Sequence, residues 1–342
     1  MPREERRLTI GEALREAIAE EMRRDEKVFL IGEDIGIPGG FGGAFGVYLG
    51  LPEEFGRERI VDTPISEKAI MGAAVGAAMM GMRPVADLQY SDFLFCCMDE
   101  VVNQAPKLRY MSGGKLSVPL VIRFPVGATT RGAQHAQSPE SYLAHVPGLK
   151  VVCISDAYDA KGLLKTAVRD DNPVMIFEHK LLYGSKGRMQ AGGLDLTCPV
   201  PEEEYLIPLG KAKVRRQGGD VTIIATHIVL YRAHTAAEEL AEEGIECEII
   251  DPRSLVPLDE ETIFESVRKT GRVVIAHEDN LRLGWGAEVA SRIAQECFYS
   301  LEAPIQRVAT YDVPIPFAPE LEQSVVPSAE RIKEAVRAAL VD

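Results

Sequence analysis

Asp62-Thr63-Pro64-Ile65-Ser66-Glu67, followed by Ala69-Ile70-Met71-Gly72-Ala73-Ala74-Val75-Gly76-Ala77-Ala78, is the stretch that decides the fold. Pro64 favours an extended or turn conformation ahead of it. The small and apolar residues beyond predict a helix from about Ser66 to Met80, with Ser66 placed to cap it. Glu67 then stands at the helix N-terminus. A carboxylate there complements the helix dipole by about 0.3–1 kcal/mol, which is the plain reading of this residue. The nearly uncharged helix behind it also makes Glu67 a candidate functional carboxylate. Gly72 and Gly76 lie four apart on one face, where another backbone can approach closely.

The strand-turn-helix pattern repeats outward in both directions. Upstream, Thr9 with Glu12 forms a capping box. Ile10, Leu14, Ile18 and Met22 then make one apolar stripe, and Val28–Ile31 reads as a strand. A Gly-rich loop covers Gly36 to Gly50, and Arg59–Asp62 starts the strand that feeds the motif. Downstream come strands Pro84–Leu88, Pro119–Arg123, Lys150–Ile154 and Val174–Glu178, with helices around Met98–Tyr110 and over Ala157–Val168. The alternation predicts a mostly parallel sheet covered on both faces. It breaks between about Tyr183 and Leu209, where Gly, Pro and the acidic run Glu202-Glu203-Glu204 collect. A second α/β run follows. Its strands are Val221–Ala225, Glu246–Ile250, Arg272–Ala276 and Gln306–Ala309, and its helices lie at about 231–243, 260–269, 286–297 and 329–340. The expected architecture is α/β with two doubly wound domains, at 1–190 and 209–342, joined by a linker at 191–208.

Composition narrows the class. A net charge of −14 disfavours nucleic acid and anionic membrane as partners. Six scattered cysteines without a C-x-x-C pair favour buried thiols over disulfides or zinc. Met1 to Leu8 mixes acid and base, so no signal peptide is expected. The longest apolar run, Ala69 to Met82, has 14 residues against the roughly 20 that a bilayer span needs. A cytoplasmic protein is the expectation.

Two further segments can carry chemistry. Arg131-Gly132-Ala133-Gln134-His135-Ala136-Gln137-Ser138 follows a strand, and the carboxyl ends of parallel strands are where α/β proteins bind ligands. An imidazole suits proton transfer near neutral pH, which makes His135 a candidate; a surface-loop histidine is the alternative. Tyr90, Phe93 and Phe95 lie just past another strand end, where they can wall an aromatic ring or simply fill the core. There is no H-E-x-x-H, no G-x-x-x-x-G-K-[ST], no G-x-G-x-x-G opening a helix and no G-x-S-x-G.

Taken together, these segments resemble the E1 β subunits of 2-oxo acid dehydrogenase complexes. The resemblance also runs through Leu30-Ile31-Gly32-Glu33-Asp34, Arg109-Tyr110-Met111-Ser112-Gly113-Gly114, Pro147-Gly148-Leu149-Lys150-Val151-Val152, Asp159-Ala160-Lys161-Gly162-Leu163 and Asp171-Asn172-Pro173-Val174, in order along essentially the whole chain. It implies a thiamine-binding pyrimidine domain followed by a transketolase C-terminal domain. It also implies thiamine diphosphate, with the diphosphate and its Mg²⁺ held by an α subunit in an α2β2 heterotetramer. This chain lacks the G-D-G…N motif for that task. The family's cofactor glutamate matches Glu67, its active-site histidine matches His135, and an aromatic beside the aminopyrimidine matches Phe93. A K⁺ site matches Leu120, Ala167, Val168, Asp170 and Asn172. A residue that docks the lipoyl-bearing E2 acyltransferase matches Glu302. Pyruvate is the expected substrate, with acetoin or a branched-chain 2-oxo acid as alternatives. The rivals are a complete thiamine enzyme of transketolase or deoxyxylulose-phosphate synthase type, which runs much longer, and a non-catalytic α/β module.

Overall fold

The computed structural model describes residues 6–184 and 195–341. Met1–Glu5 of the N-terminal reading, the boundary expected at 190/191, and 191–194 of the expected linker lie outside the described residues. The chain forms two compact units. The first runs to Val126 and resumes over Leu143–Leu209; the second comprises Gly127–Tyr142 and the chain from Gly210 onward.

The first unit is a parallel sheet of β1 (Val28–Glu33), β2 (Ile60–Thr63), β3 (Arg83–Asp87), β4 (Val121–Val126), β5 (Lys150–Ile154) and β6 (Val174–His179), in the order β5-β6-β4-β3-β1-β2. Apart from the edge strand β2, its strands are mostly buried apolar runs: Leu30, Val85, Ile122, Val152 and Ile176 are all enclosed. This is the signature of a parallel sheet covered on both faces. The helices α1 (Ile10–Arg24), α2 (Glu67–Met79) and α3 (Ala157–Arg169) belong to this unit. The Thr9–Glu12 capping box opens α1 as its sequence requires. Lys161 and Lys165 of α3 are fully buried, yet paired with Glu16 and Glu20 of α1. Both ammonium groups keep a carboxylate partner, which a buried charge requires.

The helix expected around Met98–Tyr110 is broken into a 3₁₀ turn at Ser91–Cys97, a π-helical turn at Asp99–Gln104 and a short α-helix at Leu108–Met111. Pro106 sits between the last two and has no N–H to continue the ladder. The described end of the break after β6 is not loose. Cys198–Pro199 pairs antiparallel with Arg7–Leu8, Tyr205 stacks on Tyr158 at 4.4 Å, and Ile207 lies against Gly162.

The second unit carries a five-stranded sheet: β7 (Lys213–Arg216), β8 (Val221–Ala225), β9 (Cys247–Asp251), β10 (Val273–Asn280) and β11 (Gln306–Thr310), in the order β11-β10-β8-β9-β7. All pairings are parallel except β7 with β9. Its longer helices are α4 (His227–Glu242), α5 (Glu260–Thr270), α6 (Trp285–Glu296) and α7 (Ala329–Leu340). No helix among the described residues is long and apolar enough to cross a membrane.

Candidate active site

The motif at 62–67 ends β2 and opens α2, so it delivers its side chains at the carboxyl end of the sheet. Its first residue works on a neighbouring loop. Asp62 Oδ1 accepts hydrogen bonds from the backbone N–H groups of Ile35 and Gly36, at 2.9 and 3.1 Å. Ser66 does not cap α2 with its side chain. Its Oγ donates to the Pro64 carbonyl at 2.9 Å, and its N–H bonds to the Glu33 carboxylate. Glu33 thus satisfies the N–H of the N-cap residue itself, a bond for which a carboxylate is a strong acceptor. Thr63 Oγ1 is enclosed and has no hydrogen-bond partner.

Glu67, half-buried, is the first residue of α2. Burial and then the charge of Glu67 push the Glu33 carboxyl above the ordinary carboxylate range. The two glutamates thus form an acidic pair. Such a pair can hold and exchange a proton with a basic ring nitrogen. Glu33 was not among the residues expected to form the site. Its signal was the apolar strand Val28–Gly32 ending abruptly in Glu33-Asp34 at the ligand-binding end of a parallel strand.

Phe93 is half-buried on the 3₁₀ turn after β3, and it meets Tyr90 edge to face at 5.7 Å. Tyr90 meets Phe45 of the Gly-rich loop at 5.8 Å, and Phe45 stacks on Tyr183 at 4.9 Å. Lys180, buried, places its ammonium 5.0 Å from the Tyr90 ring centroid. Below this wall lies a buried polar layer. Arg123 grips Glu178 with two bonds, at 2.8 and 2.5 Å, and reaches Asp87 at 3.0 Å. Tyr48 OH and Tyr183 OH donate to Asp87 and Glu178, each at 2.5 Å. The layer ties the ends of β3, β4 and β6 to the Gly-rich loop through Tyr48. A fully satisfied buried network of this kind fixes geometry more than it adds stability.

His135, half-buried, stands on the Gly127–Tyr142 segment, which belongs to the second unit, whereas Glu33, Glu67 and Phe93 belong to the first. Its N–H donates to the Gly132 carbonyl at 3.1 Å, and Gly127 N–H to the Gln137 carbonyl at 3.2 Å. The same unit holds Asp279, whose carboxylate accepts from Ser141 Oγ. Burial and then the charge of Glu140 push the Asp279 carboxyl up to about 7. Its raised pKa makes a contribution to stability that is complete below pH ~4 and is lost as pH rises through 7. Asp279→Asn is therefore expected to gain on the parent chain as pH goes from 5 to 8, by on the order of 2–3 kcal/mol. His277, held neutral by burial with a pKa of about 3, titrates identically in both chains and drops out of the difference. Thermal melts of both chains across this range check it; a constant difference in Tm contradicts it.

Leu120, Ala167, Val168, Asp170 and Asn172 gather at one turn. Arg83 Nη1 donates to the Val168 and Asp170 carbonyls, both at 3.0 Å. The Leu120 carbonyl accepts from Val174 N–H at 2.8 Å and that of Ala167 from Asp170 N–H at 3.2 Å. Lys150 pairs with the Asp170 carboxylate, and Asn172 donates to it at 2.9 Å. A K⁺ ion here would share two carbonyls with the Arg83 guanidinium. Glu302 is exposed and bound to Arg272 at 2.8 Å.

The family model for the transketolase pyrimidine-binding domain matches residues 6–186, and that for the transketolase C-terminal domain matches 210–332. The chain is 46% identical to the β subunit of acetoin:2,6-dichlorophenolindophenol oxidoreductase from Cupriavidus necator, over 97% of both chains. It is 45% identical to the pyruvate dehydrogenase E1 component subunit β of Rickettsia felis, covering 96% of this chain and 97% of that one. It is 43% identical to the 2-oxoisovalerate dehydrogenase subunit β of Bacillus subtilis, covering 95% and 96%. A solved split-gene transketolase, in an inactive β4 tetramer, shares the fold with a TM-score of 0.77 at 24% identity, covering 97% of this chain and 98% of that one. With both domains matched in order and relatives this similar along nearly their full length, the chain belongs to the transketolase-like family of E1 β subunits of the pyruvate, acetoin and branched-chain 2-oxo acid dehydrogenases.

Proposed function

We propose that this chain holds the aminopyrimidine half of thiamine diphosphate through Glu67, serves an E1 that decarboxylates pyruvate, and works only together with an α subunit. The observation that carries the reading is the Glu33–Glu67 pair at the mouth of an apolar helix. The residues fit the group: an acid pair suits a basic ring nitrogen, Tyr90 and Phe93 suit a flat ring, and Thr63 Oγ1 has bonding capacity to spare. When bound, the cofactor supplies a thiazolium that accepts the electrons released as carbon dioxide leaves. Glu67 would bond the ring nitrogen, with the Glu33 carboxyl beside it. Phe93 and Tyr90 would exclude water from the ring face. His135 would give a proton during acyl transfer to a lipoyl group.

The need for a partner has its own support. The α2 face bearing Gly72, Ala73 and Gly76 is exposed. At the two ends of that helix Ile65 is 81% and Met80 86% exposed. Exposed apolar and small residues that flank a candidate site are what an obligate interface leaves behind in a single chain. The missing G-D-G…N motif supports leaving the diphosphate and Mg²⁺ to that partner. An α2β2 assembly and docking of the lipoyl-bearing E2 near Glu302 complete the proposal, together with K⁺ at the Leu120–Asn172 turn in competition with Arg83.

Titration of thiamine diphosphate and Mg²⁺ into the purified chain, alone and mixed with its α subunit, tests the reading. Binding and turnover of pyruvate are expected only in the mixture. Tight binding and turnover by the chain alone would overturn it. Acetoin and 2-oxoisovalerate, run beside pyruvate, test the substrate: the highest kcat/KM is expected for pyruvate.

A further inference from the structure

The segment that carries His135 is not a regular element, and its backbone would have orphan N–H groups without help from elsewhere. Gly127, Thr130 and Gly132 adopt left-handed φ values of 96°, 57° and 77°. For Thr130 this is a costly conformation that only surrounding contacts can hold. Those contacts come from two acids far along the chain. Glu278, at the end of β10, accepts the Ala128 N–H through Oε1 at 2.5 Å. Glu322, on the short helix Pro319–Val325, accepts the Thr130 N–H through Oε2 at 2.7 Å. Both side chains are buried. Glu278 is itself steadied by Arg232, 3.8 Å from its second oxygen, and Arg232 also donates to the Pro327 carbonyl at 2.6 Å.

Apolar contacts reinforce the same placement. Ala128 and Ala136 pack with Ile315 and Val326. A Cβ added at Gly132 would lie 3.3 Å from Phe317 Cδ2, so the backbone passes close against that ring. Ser141, at the far end of the segment, is tied to Asp279. His135 therefore sits between anchored points. Arg232 on α4 faces Glu278, and Asp279 stands beside Glu278 on β10.

We propose that Glu278 and Glu322 are positioning residues for the reaction: two carboxylates of the C-terminal half that grip the amides on either side of Thr129 and so set the histidine segment for acyl transfer. The proposal rests on the reading of His135 given above. Burying a carboxylate is costly, and two are committed here to the amides of one irregular loop. Charge-assisted bonds of this kind are short and directional, which suits positioning. A displacement of about 1 Å at a reacting group can cost on the order of 100-fold in rate.

The test uses the chain assembled with its α subunit. Glu278→Ala and Glu322→Ala remove the grip, Glu278→Asp and Glu322→Asp keep the charge but lose the reach, and the Gln variants keep an acceptor oxygen in place. Amide hydrogen exchange of peptides covering 127–142 is read beside two turnovers, one to a lipoyl domain and one to an artificial electron acceptor. Expected are faster exchange confined to 128–132 and a fall of about 10–100-fold in lipoyl-linked kcat for the Ala variants. Thiamine diphosphate affinity should stay unchanged, and the Gln variants should recover most of the rate. Where an Ala variant does not fold, the Asp variant is expected to show the same pattern. Faster exchange with lipoyl-linked kcat unchanged, or unchanged exchange, would overturn the proposal. His135→Ala in parallel separates the two claims: no effect there, with exchange accelerated in the grip variants, sinks the role of the histidine and not the grip.

Discussion

Glu67→Gln is expected to fold and assemble like the parent chain and to lose turnover of its 2-oxo acid by at least about 100-fold. The substitution keeps the side-chain shape and the helix start. It removes the charge that, after burial, helps to raise the Glu33 carboxyl above its ordinary value. Two consequences follow. An amide cannot exchange a proton with a ring nitrogen, so the acid–base help that such a group supplies, commonly about 10²–10⁴-fold, disappears. The Glu33 carboxyl, freed of its charged neighbour, should also titrate closer to its ordinary range. Because α2 buries Ile70, Met71, Ala74 and Ala78 whatever stands at position 67, stability should change by less than about 1 kcal/mol. Steady-state decarboxylation with an artificial electron acceptor, together with gel filtration of the assembly, checks both halves. Parent-like turnover in a correctly assembled variant would remove Glu67 from the site.

His135→Ala is expected to slow acyl transfer to a lipoyl domain by about 10²–10⁴-fold. The residue lies in a segment fixed at Gly127, Ala128 and Thr130, so truncating its side chain removes the imidazole and leaves the backbone in place. Cofactor affinity should be nearly unchanged, because the aminopyrimidine contacts proposed here lie on Glu67, Glu33 and Phe93. Decarboxylation read with an artificial acceptor should fall less than the lipoyl-linked reaction. Single-turnover measurement of the two half-reactions decides it. If both run at the parental rate, His135 is an ordinary loop residue.

Much of the fold is legible in the order of residues alone. The strands Lys150–Ile154 and Val221–Ala225 fall on the residues expected, because a continuous apolar run enclosed on both faces leaves little freedom in where it starts or stops. The helix behind Glu67 is legible for a similar reason, as a helix suits the eleven small and apolar residues Ala69–Met79 after a proline turn. Failures occur where a local pattern is overridden. Pro106 and a π-turn divide a stretch whose composition suggests one helix. Lys213–Arg216 is a strand at the edge of its sheet, and its charges hide it, since edge strands are kept polar to prevent further pairing.

The site shows the same division. Glu67, Phe93 and His135 stand out because each breaks the chemistry of its surroundings. Glu33 is hidden by its position at a strand end that reads as ordinary solvent-facing polarity. Its burial and its bond to Ser66 come from β1 and β2 lying side by side, a contact between residues about thirty apart in sequence. Glu278 and Glu322 are further still from the segment they hold, 150 and 192 residues away. No periodicity within a window reports contacts of that range.

Glu67 is proposed to work on thiamine diphosphate held jointly with an α subunit. Exchange of the cofactor's thiazolium C2 proton for deuterium tests it most directly, because it reads one proton transfer without substrate, lipoyl domain or product release. The α-assembled parent chain is predicted to exchange much faster than free cofactor, and the Glu67→Gln assembly to exchange at least about 100-fold more slowly than the parent while still binding the cofactor. Exchange at the parental rate in a Glu67→Gln assembly with cofactor bound would contradict the account.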